Sequence, residues 1–425
     1  MRRLTPPAGL PASAFEALDR RLDPHADRPV AVAFSGGGDS LAALLLTKAW
    51  ADRAGRPVAA ITVDHGLQAA SAGWTETCAD LAHALGVAFQ PVVWTGEKPA
   101  GGLPAAARQA RHDLLARTAR AIGARVVVLG HTADDRLEAE LMRADGSTLG
   151  ELRAWSPSPV WPEGRGLFLL RPLLGLRRAA LRDLLAGAGL AWIDDPANAD
   201  PRFARSRARA RLGPAAPDPP PAPDPDPQAA ALAARCRAGA DGGLSIDRSL
   251  LRRASLEAAV RFVAAAATCA AGRAGPPRRA RAAALAERLR GEARFAAALA
   301  GARVIARGET ALFVRDAGET ARGGLAPLSA AAGETAVWDG RFEIAAPEAV
   351  RVAPLKGLAA RLPPAERAAL AALPAEARPA LPAFADPAGG VSCPLLRPGG
   401  GATVRALAGE RLRAACGAID HEAAA

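Results

Sequence analysis

Five short apolar runs in the first half of the chain, alternating with longer amphipathic stretches, limit the fold more than any other feature. The runs are Val30 to Phe34, Val58 to Val63, Phe89 to Trp94, Arg125 to Leu129 and Leu167 to Leu170. The stretches after the first four, Leu41 to Arg53, Ser71 to Leu85, Pro104 to Ile122 and Asp134 to Arg143, carry helical spacing, and the third opens on a proline suited to a first helical position. Such alternation specifies a doubly wound α/β domain, here with a five-stranded parallel sheet covered by helices.

This pattern stops near Leu212. Residues 213–227, GPAAPDPPPAPDPDP, cannot sustain a helix or an inner strand, because each proline lacks a donor and constrains its neighbour. The expected organisation is therefore an N-terminal helix or tail over 1–27, a catalytic domain over 28–212 and a linker over 213–227. A small helical domain follows over 228–302, broken at Gly275, Pro276 and Pro277, and a β-containing module over 303–425. In that module Ala311 to Val314 and Thr335 to Ile344 read as β, and Pro364 to Leu373 as a helix. A length of 425 residues agrees with two or three domains.

Half the residues are apolar and 23% are charged, as in ordinary soluble domains. Residues Met1 to Pro11 lack the apolar core of a signal peptide, and no stretch approaches the ~18 apolar residues of a membrane span, so the expected location is cytoplasmic with no membrane partner. Cys78, Cys236, Cys269, Cys393 and Cys416 stand singly, with no C-x-x-C pair, which suggests neither a disulfide framework nor a zinc site. The net charge of +11 and pI near 10.7 suit a polyanion such as RNA. Only three of the 54 basic residues are lysine and tyrosine is absent, a biased composition that weakens the inference from charge alone.

The sharpest local signal is Ser35-Gly36-Gly37-Gly38-Asp39-Ser40, between the first apolar run and the helix after it. Its spacing is not that of a Walker A loop. Consecutive glycines let the backbone approach a phosphate, and the free N–H groups of a helix start point at the anion. Ser35 and Ser40 add hydroxyl donors. Asp39 alone would repel a phosphate, so its presence argues for Mg²⁺, a cation that takes oxygen ligands and bridges to phosphates. A glycine-rich turn with no ligand is the alternative, and the strand–loop–helix setting disfavours it. The motif resembles the PP-loop of the ATP pyrophosphatase superfamily, which implies cleavage of ATP between its α and β phosphates.

Further motifs resemble the tRNA(Ile)-lysidine synthase family in particular. Val63-Asp64-His65-Gly66-Leu67 is similar to the family's V-x-H-G-L near the adenine, and Ala107-Arg108-Gln109-Ala110-Arg111-His112 to its A-R-x-x-R-Y, with His112 in place of tyrosine. Arg108 and Arg111 share a helical face able to meet phosphate or substrate. Gly130-His131-Thr132-Ala133-Asp134-Asp135 is similar to G-H-x-x-D-D, continued by Glu138, and Gly146-Ser147 to a G-S-G whose last position is Thr148 here. Arg171-Pro172-Leu173-Leu174, then Trp192 to Asn198, then Arg205 to Arg209 resemble R-P-L-L, W-x-x-D-x-S-N and R-N-x-x-R, with Ala197 and Ser206 as departures. Trp338 to Phe342 resembles a segment of the family's later domains.

Taken alone, two arginines on a helix are a solvated face, and a paired aspartate at a helix start is an N-cap. The ordered set is what gives them functional weight. The resemblance implies ATP bound by Ser35 to Ser40 and His65, and Mg²⁺ on Asp39 with Asp134 as a second ligand. It implies catalysis by Asp39, Asp134, Asp135, Arg111 and Arg205, and substrate or tRNA binding by Arg108, His131, Glu138, Arg171 and Arg209. The substrates implied are free lysine and a tRNA(Ile) with a CAU anticodon. Asp135 and Glu138 are candidate bases for the lysine amine. The basic run Arg202, Arg205, Arg207, Arg209 and Arg211, with Arg278, Arg279 and Arg281, is the candidate RNA grip. Oligomeric state stays open, a homodimer included. Other PP-loop tRNA-modifying or amide-forming enzymes, and a catalytically silent RNA-binding scaffold, remain alternatives.

Overall fold

The computed structural model describes residues 4–7, 9–147, 150–196, 200–212, 226–319, 325–386, 389–399 and 401–423. The chain forms two compact units, Met1–Asp224 together with Asp420–Ala425, and Pro225–Ile419. Of the proline-rich segment, residues 213–225 lie outside the described residues. Asp226 caps a helix that already begins at Pro227.

In the first unit, helix α1 (Ala12–Arg21) precedes strand β1 (Val30–Ala33). Then follow α2 (Gly38–Ala54), β2 (Val58–Asp64), α3 (Ser71–Ala84), β3 (Ala88–Val93), α4 (Leu103–Ala121), β4 (Val126–Leu129) and α5 (Ala133–Ala144). Strands β5 (Trp155–Pro157) and β6 (Phe168–Leu170) and helices α6 (Arg178–Gly187) and α7 (Ala204–Leu212) complete it. The sheet runs β3-β2-β1-β4-β6-β5. All pairs are parallel except β5 with β6. The expected five-stranded parallel sheet is present, with a sixth, antiparallel strand added at one edge. Three residues including a proline give no strand signal; β5 is fixed instead by Trp155 stacking on Phe168 at 4.6 Å.

Strands β1 and β4 are apolar and buried at every position, as a central strand covered on both faces must be. β3, with Pro91 inside it and Val93 exposed, is the other edge, where a missing donor is tolerated. The order reverses between β1 and β4, and loops at the carboxyl ends of strands flanking such a switch point form the ligand crevice of an open α/β sheet. Both the loop of Gly36 to Gly38 and that of Gly130 to Thr132 leave the sheet there.

The second unit opens with α8 (Pro227–Arg235), β7 (Arg237–Ala238), β8 (Leu244–Asp247), α9 (Arg248–Arg253), α10 (Leu256–Ala270) and α11 (Arg279–Arg290). The break expected at Gly275 to Pro277 falls between α10 and α11. β9 (Phe295–Leu299), β10 (Ala302–Arg307) and β11 (Thr310–Arg315) join β7 and β8 in a sheet ordered β7-β8-β11-β10-β9. Residue 302, where the sequence suggests a boundary, is the first residue of β10. These helices and strands share one core, with Phe262 set edge-on to Phe313 at 6.2 Å. A further core holds Trp338, Phe342 and Phe384. Within it, Thr335 to Ile344 is a hairpin, not one strand: Ala336–Trp338 pairs with Phe342–Ala345 across Asp339 and Gly340, both at positive φ. The helix expected near 364–373 is Pro364–Ala371.

Candidate nucleotide and substrate site

The glycine loop leaves β1 and enters α2 through a turn that only glycine suits at Gly36, where φ is +77° and a Cβ would lie 2.4 Å from Ile193 Cδ1. The serines organise it from within. Ser40 Oγ donates to the Gly37 carbonyl at 2.8 Å and accepts from the Ser35 N–H at 3.2 Å. The N–H of Ile193 donates to the Gly36 carbonyl at 2.9 Å, and Trp192 lies against Gly38, where a Cβ would come 3.5 Å from its ring. Opposite, Gly130 meets the start of α2: a Cβ there would stand 2.5 Å from the Asp39 carbonyl oxygen.

Asp39 lies in the first turn of α2, Asp134 and Asp135 in the first turn of α5, and Glu138 one turn on. Asp135 accepts from the Thr132 N–H at 2.6 Å and from its hydroxyl at 2.9 Å, so it is the third-position partner in a capping box whose N-cap is Thr132, not the N-cap itself. It also accepts from Arg205 at 2.5 Å and from Arg178 at 3.4 Å. Glu138, with its side chain 1% exposed, receives Arg178 at 3.1 Å, Arg205 at 2.8 Å and Arg209 at 2.8 Å. Asp134 takes Arg177 through both oxygens, at 3.1 and 3.3 Å, and the backbone N–H of Arg178 at 2.7 Å. Burial opposes its ionisation, but Arg177 and that N–H outweigh it and hold its carboxyl below the usual range. Asp39 Oδ2 accepts from Arg178 Nε at 2.8 Å, while Oδ1 is buried without a partner. Burial pushes the Asp39 carboxyl upward despite Arg178.

A cationic group adjoins these acids. Burial, then Arg108 and Arg205, brings Arg111 down to about 10, and burial with Arg108 does the same to Arg171. Both stay cationic at neutral pH. Arg171 Nε donates to His131 Nδ1 at 3.2 Å, a bond that requires Nδ1 unprotonated; burial and then Arg171, Arg111, Arg205 and Arg108 keep His131 well below its ordinary pKa. His65, after β2, stands edge-on to Trp94 at 6.0 Å with a buried, unpartnered Nδ1. Its pKa is lowered by burial and by Arg111.

The fold thus brings Asp39, Asp135, Glu138, Arg205 and Arg209 into one bonded network, with Asp134 joined through Arg177 and Arg178. Arg108, Arg111 and Arg171 form its cationic neighbour, with the uncharged His131 among them, and His65 lies within electrostatic reach of Arg111. Thr148, Ala197 and Asn198 lie outside the described residues. Sequence reasoning missed Arg177 and Arg178, the approach of Gly130 to the start of α2, and the seating of Trp192 and Ile193 on the glycine loop. One signal was available for the arginines: cations at a helix start oppose the macrodipole, so two of them opening α6 need acidic partners.

The PP-loop domain family matches residues 12–216. A tRNA(Ile)-lysidine synthase of Caulobacter vibrioides is 48% identical over 413 residues, covering 96% of this chain and 97% of that protein. The chain belongs to the tRNA(Ile)-lysidine synthase family. A second relative of that name, from Mesorhizobium japonicum, is 38% identical over 374 residues, 81% of this chain and 79% of that protein. Membership in this family implies use of ATP. No helix among the described residues is long and apolar enough to cross a membrane.

For a metal the fit is narrower. No group of three or more His, Cys, Asp or Glu side chains is placed to hold an ion among the described residues. Mg²⁺ seldom needs one, since it is commonly held by one or two carboxylates and substrate phosphates. Asp39, with a free buried oxygen beside the glycine loop, suits that arrangement. Asp134, with both oxygens engaged, suits it less.

Proposed function

We propose that this chain ligates lysine to C2 of the wobble cytidine in a CAU-anticodon tRNA(Ile), with ATP converted to AMP and pyrophosphate. The observation that carries the reading is 48% identity with a tRNA(Ile)-lysidine synthase over an alignment that covers 96% of the chain. The acids and arginines gathered at the switch point of the sheet support it.

Ser35 to Ser40 would hold the phosphates of ATP, and Mg²⁺ held by Asp39 would supply charge neutralisation there. The cytidine O2 attacks the α phosphorus and pyrophosphate leaves; the lysine ε-amine then attacks C2, and AMP leaves with the C2 oxygen. Arg108, Arg111 and Arg171 form a fixed cationic wall against which an anion loses little solvation. The incoming amine has an ordinary pKa of about 10.4 and must shed a proton to react. Asp135 and Glu138 are the acceptors proposed. Their oxygens are bonded to arginines or Thr132 in this state, so an arriving ammonium exchanges with a guanidinium, one cation for another.

The basic run after Pro201 is largely engaged within the chain. Arg202 pairs with Asp200, Arg211 with Asp145, and Arg207 donates to the carbonyls of Pro201 and Arg202. Arg279 pairs with Glu257, whereas Arg278 and Arg281 are exposed. The RNA grip proposed for this run therefore draws on side chains that stay accessible while paired, Arg202 and Arg211 at 84% and 55% exposed ahead of Arg205 and Arg209 at 42% and 35%.

Labelled lysine, ATP, Mg²⁺ and a CAU-anticodon tRNA(Ile) transcript test this, with tRNA(Met) and omission of ATP as controls. Label in tRNA(Ile) alone, dependent on ATP and lost in Asp39→Ala with RNA affinity kept, is the expected result. Pyrophosphate release without lysine incorporation points to another PP-loop enzyme, and RNA binding without release to a scaffold. Light scattering on the same preparation separates monomer from homodimer.

A further inference from the structure

Arg178 bonds to more of the acidic residues than any role in the preceding scheme requires. It opens α6, where the helix dipole disfavours a cation. Its three guanidinium nitrogens nevertheless go to three different carboxylates: Nε to Asp39 at 2.8 Å, Nη1 to Glu138 at 3.1 Å and Nη2 to Asp135 at 3.4 Å. Its own backbone N–H takes Asp134 at 2.7 Å. The side chain is 13% exposed, so the attractions are only partly screened by water. Asp39 comes from the glycine loop and the other acids from α5, so Arg178 is the single described side chain bonded to both.

The second observation is the half-satisfied state of Asp39. Its Oδ1 is buried with no hydrogen-bond partner while Oδ2 is held by Arg178. A buried acceptor left unpaired is costly, and a native one calls for an explanation such as a ligand that arrives later. A guanidinium set among Asp39, Asp135 and Glu138 also opposes any divalent ion entering between them, consistent with the absence of a three-ligand metal group among the described residues.

We infer that Arg178 is a positioning residue that acts as a built-in counter-cation: it aligns Asp39 with Asp135 and Glu138 before nucleotide binds, and releases Asp39 when a divalent cation enters with ATP. The inference rests on the proposed nucleotide reading of Ser35 to Ser40. It assigns to α6 a task for which the glycine loop alone has no means: keeping metal off the acids until phosphates accompany it. Asp135 and Glu138 retain Arg205 as Arg178 leaves, so the network need not collapse on exchange.

The experiment uses the full chain without nucleotide, with Mn²⁺ alone as the probe and binding read by electron paramagnetic resonance. Removal of a unit positive charge beside a divalent ion in a partly buried site changes affinity by about tenfold or more. Arg178→Ala is therefore expected to bind Mn²⁺ at least about tenfold more tightly than the unaltered chain. Arg178→Lys, which keeps the charge, should stay close to the unaltered value. In turnover, Arg178→Ala should need less Mg²⁺ for half-maximal rate while kcat falls, and Arg178→Lys should recover part of kcat. A simple structural tie predicts a lower melting temperature with Mn²⁺ affinity unmoved, and that result overturns the inference. If Arg178→Ala does not fold, Arg178→Gln and Arg178→Lys carry the same comparison, and equal Mn²⁺ affinity in the two overturns it as well. Binding of Mg–ATP by the unaltered chain is measured separately; its absence defeats the nucleotide reading, and with it the inference, whatever the Mn²⁺ series shows.

Discussion

His112 stands where the A-R-x-x-R-Y pattern carries tyrosine, and its surroundings make the exchange consequential for pH. The ring is 8% exposed on the buried side of α4. Burial first, then the charges of Arg108, Arg111 and Arg171, bring its pKa from 6.5 to about 3. A histidine with a folded pKa below its unfolded one stays neutral in the native chain while the unfolded chain takes up a proton. The native state therefore loses stability as pH falls below 6.5, down to about 3. The slope from one such group is about 1.4 kcal/mol per pH unit. His131 adds to it with the same sign, since burial and the neighbouring arginines lower it too. His112→Tyr removes one proton from this balance, and denaturant unfolding between about pH 4 and 6 should show a slope shallower by about 1.4 kcal/mol per unit. An unchanged slope would mean that His112 is already charged in the folded chain.

At the level of elements, legibility followed local density of signal. β1 and β4, as Val30–Ala33 and Val126–Leu129, are unbroken apolar runs, and their positions could be read directly. β5, three residues long, could not, because tertiary stacking of Trp155 on Phe168 fixes it and propensity does not. The motifs of Ser35 to Ser40, His65 and Gly130 stood out because they sit at strand ends, where glycine and charge interrupt an apolar texture. The partnership of Arg178 with Asp39 joins residues 139 apart, and no window along the chain contains both. The contact of the Gly130 loop with α2 was equally hidden, although both loops were singled out. A Cβ at Gly130 would meet Asp39 O at 2.5 Å, Asp39 C at 2.7 Å and Ser40 Cα at 2.9 Å. These are backbone atoms, so no rotamer change relieves the clash, and the start of α2 must move. Gly130→Ala is expected to destabilise by about 1–3 kcal/mol, the usual range for overpacking, and to weaken ATP binding about tenfold. Gly73→Ala on α3, where nothing lies within 4 Å, is the control and should be neutral or stabilising. Equal nucleotide affinity in both variants would show that α2 adjusts without cost to the loop.

On the scale of the whole chain, the first unit is assembled from two distant stretches, because residues 420–425 belong to it along with 1–224. Glu422 makes that return specific. Its side chain has no exposed area and accepts from Arg28 Nε at 2.7 Å and from Arg56 Nη1 at 2.8 Å, with the Arg56 side chain 1% exposed. Its N–H donates to the Arg21 carbonyl at 2.8 Å. Arg56 is also bonded to the carbonyls of Asp23 and Arg28, both at 2.7 Å, so it cannot swing to solvent without breaking the connection between α1 and β1. Burial raises the Glu422 pKa, but Arg56 and Arg28 outweigh it, and the carboxyl lies below its ordinary 4.5. A depressed carboxyl contributes stability that is present above its unfolded pKa and lost as pH falls through the folded one. Glu422→Ala would leave Arg56 a buried cation with no acid, a change that typically costs about 3–5 kcal/mol. Unfolding of the chain is not a single step when two units are present, so the expected result is a lower transition for the first unit with that of the second unmoved. Hydrogen exchange at β1 and α1 separates the two. Unaltered protection there in Glu422→Ala would show that the tail rests on this unit without supporting it.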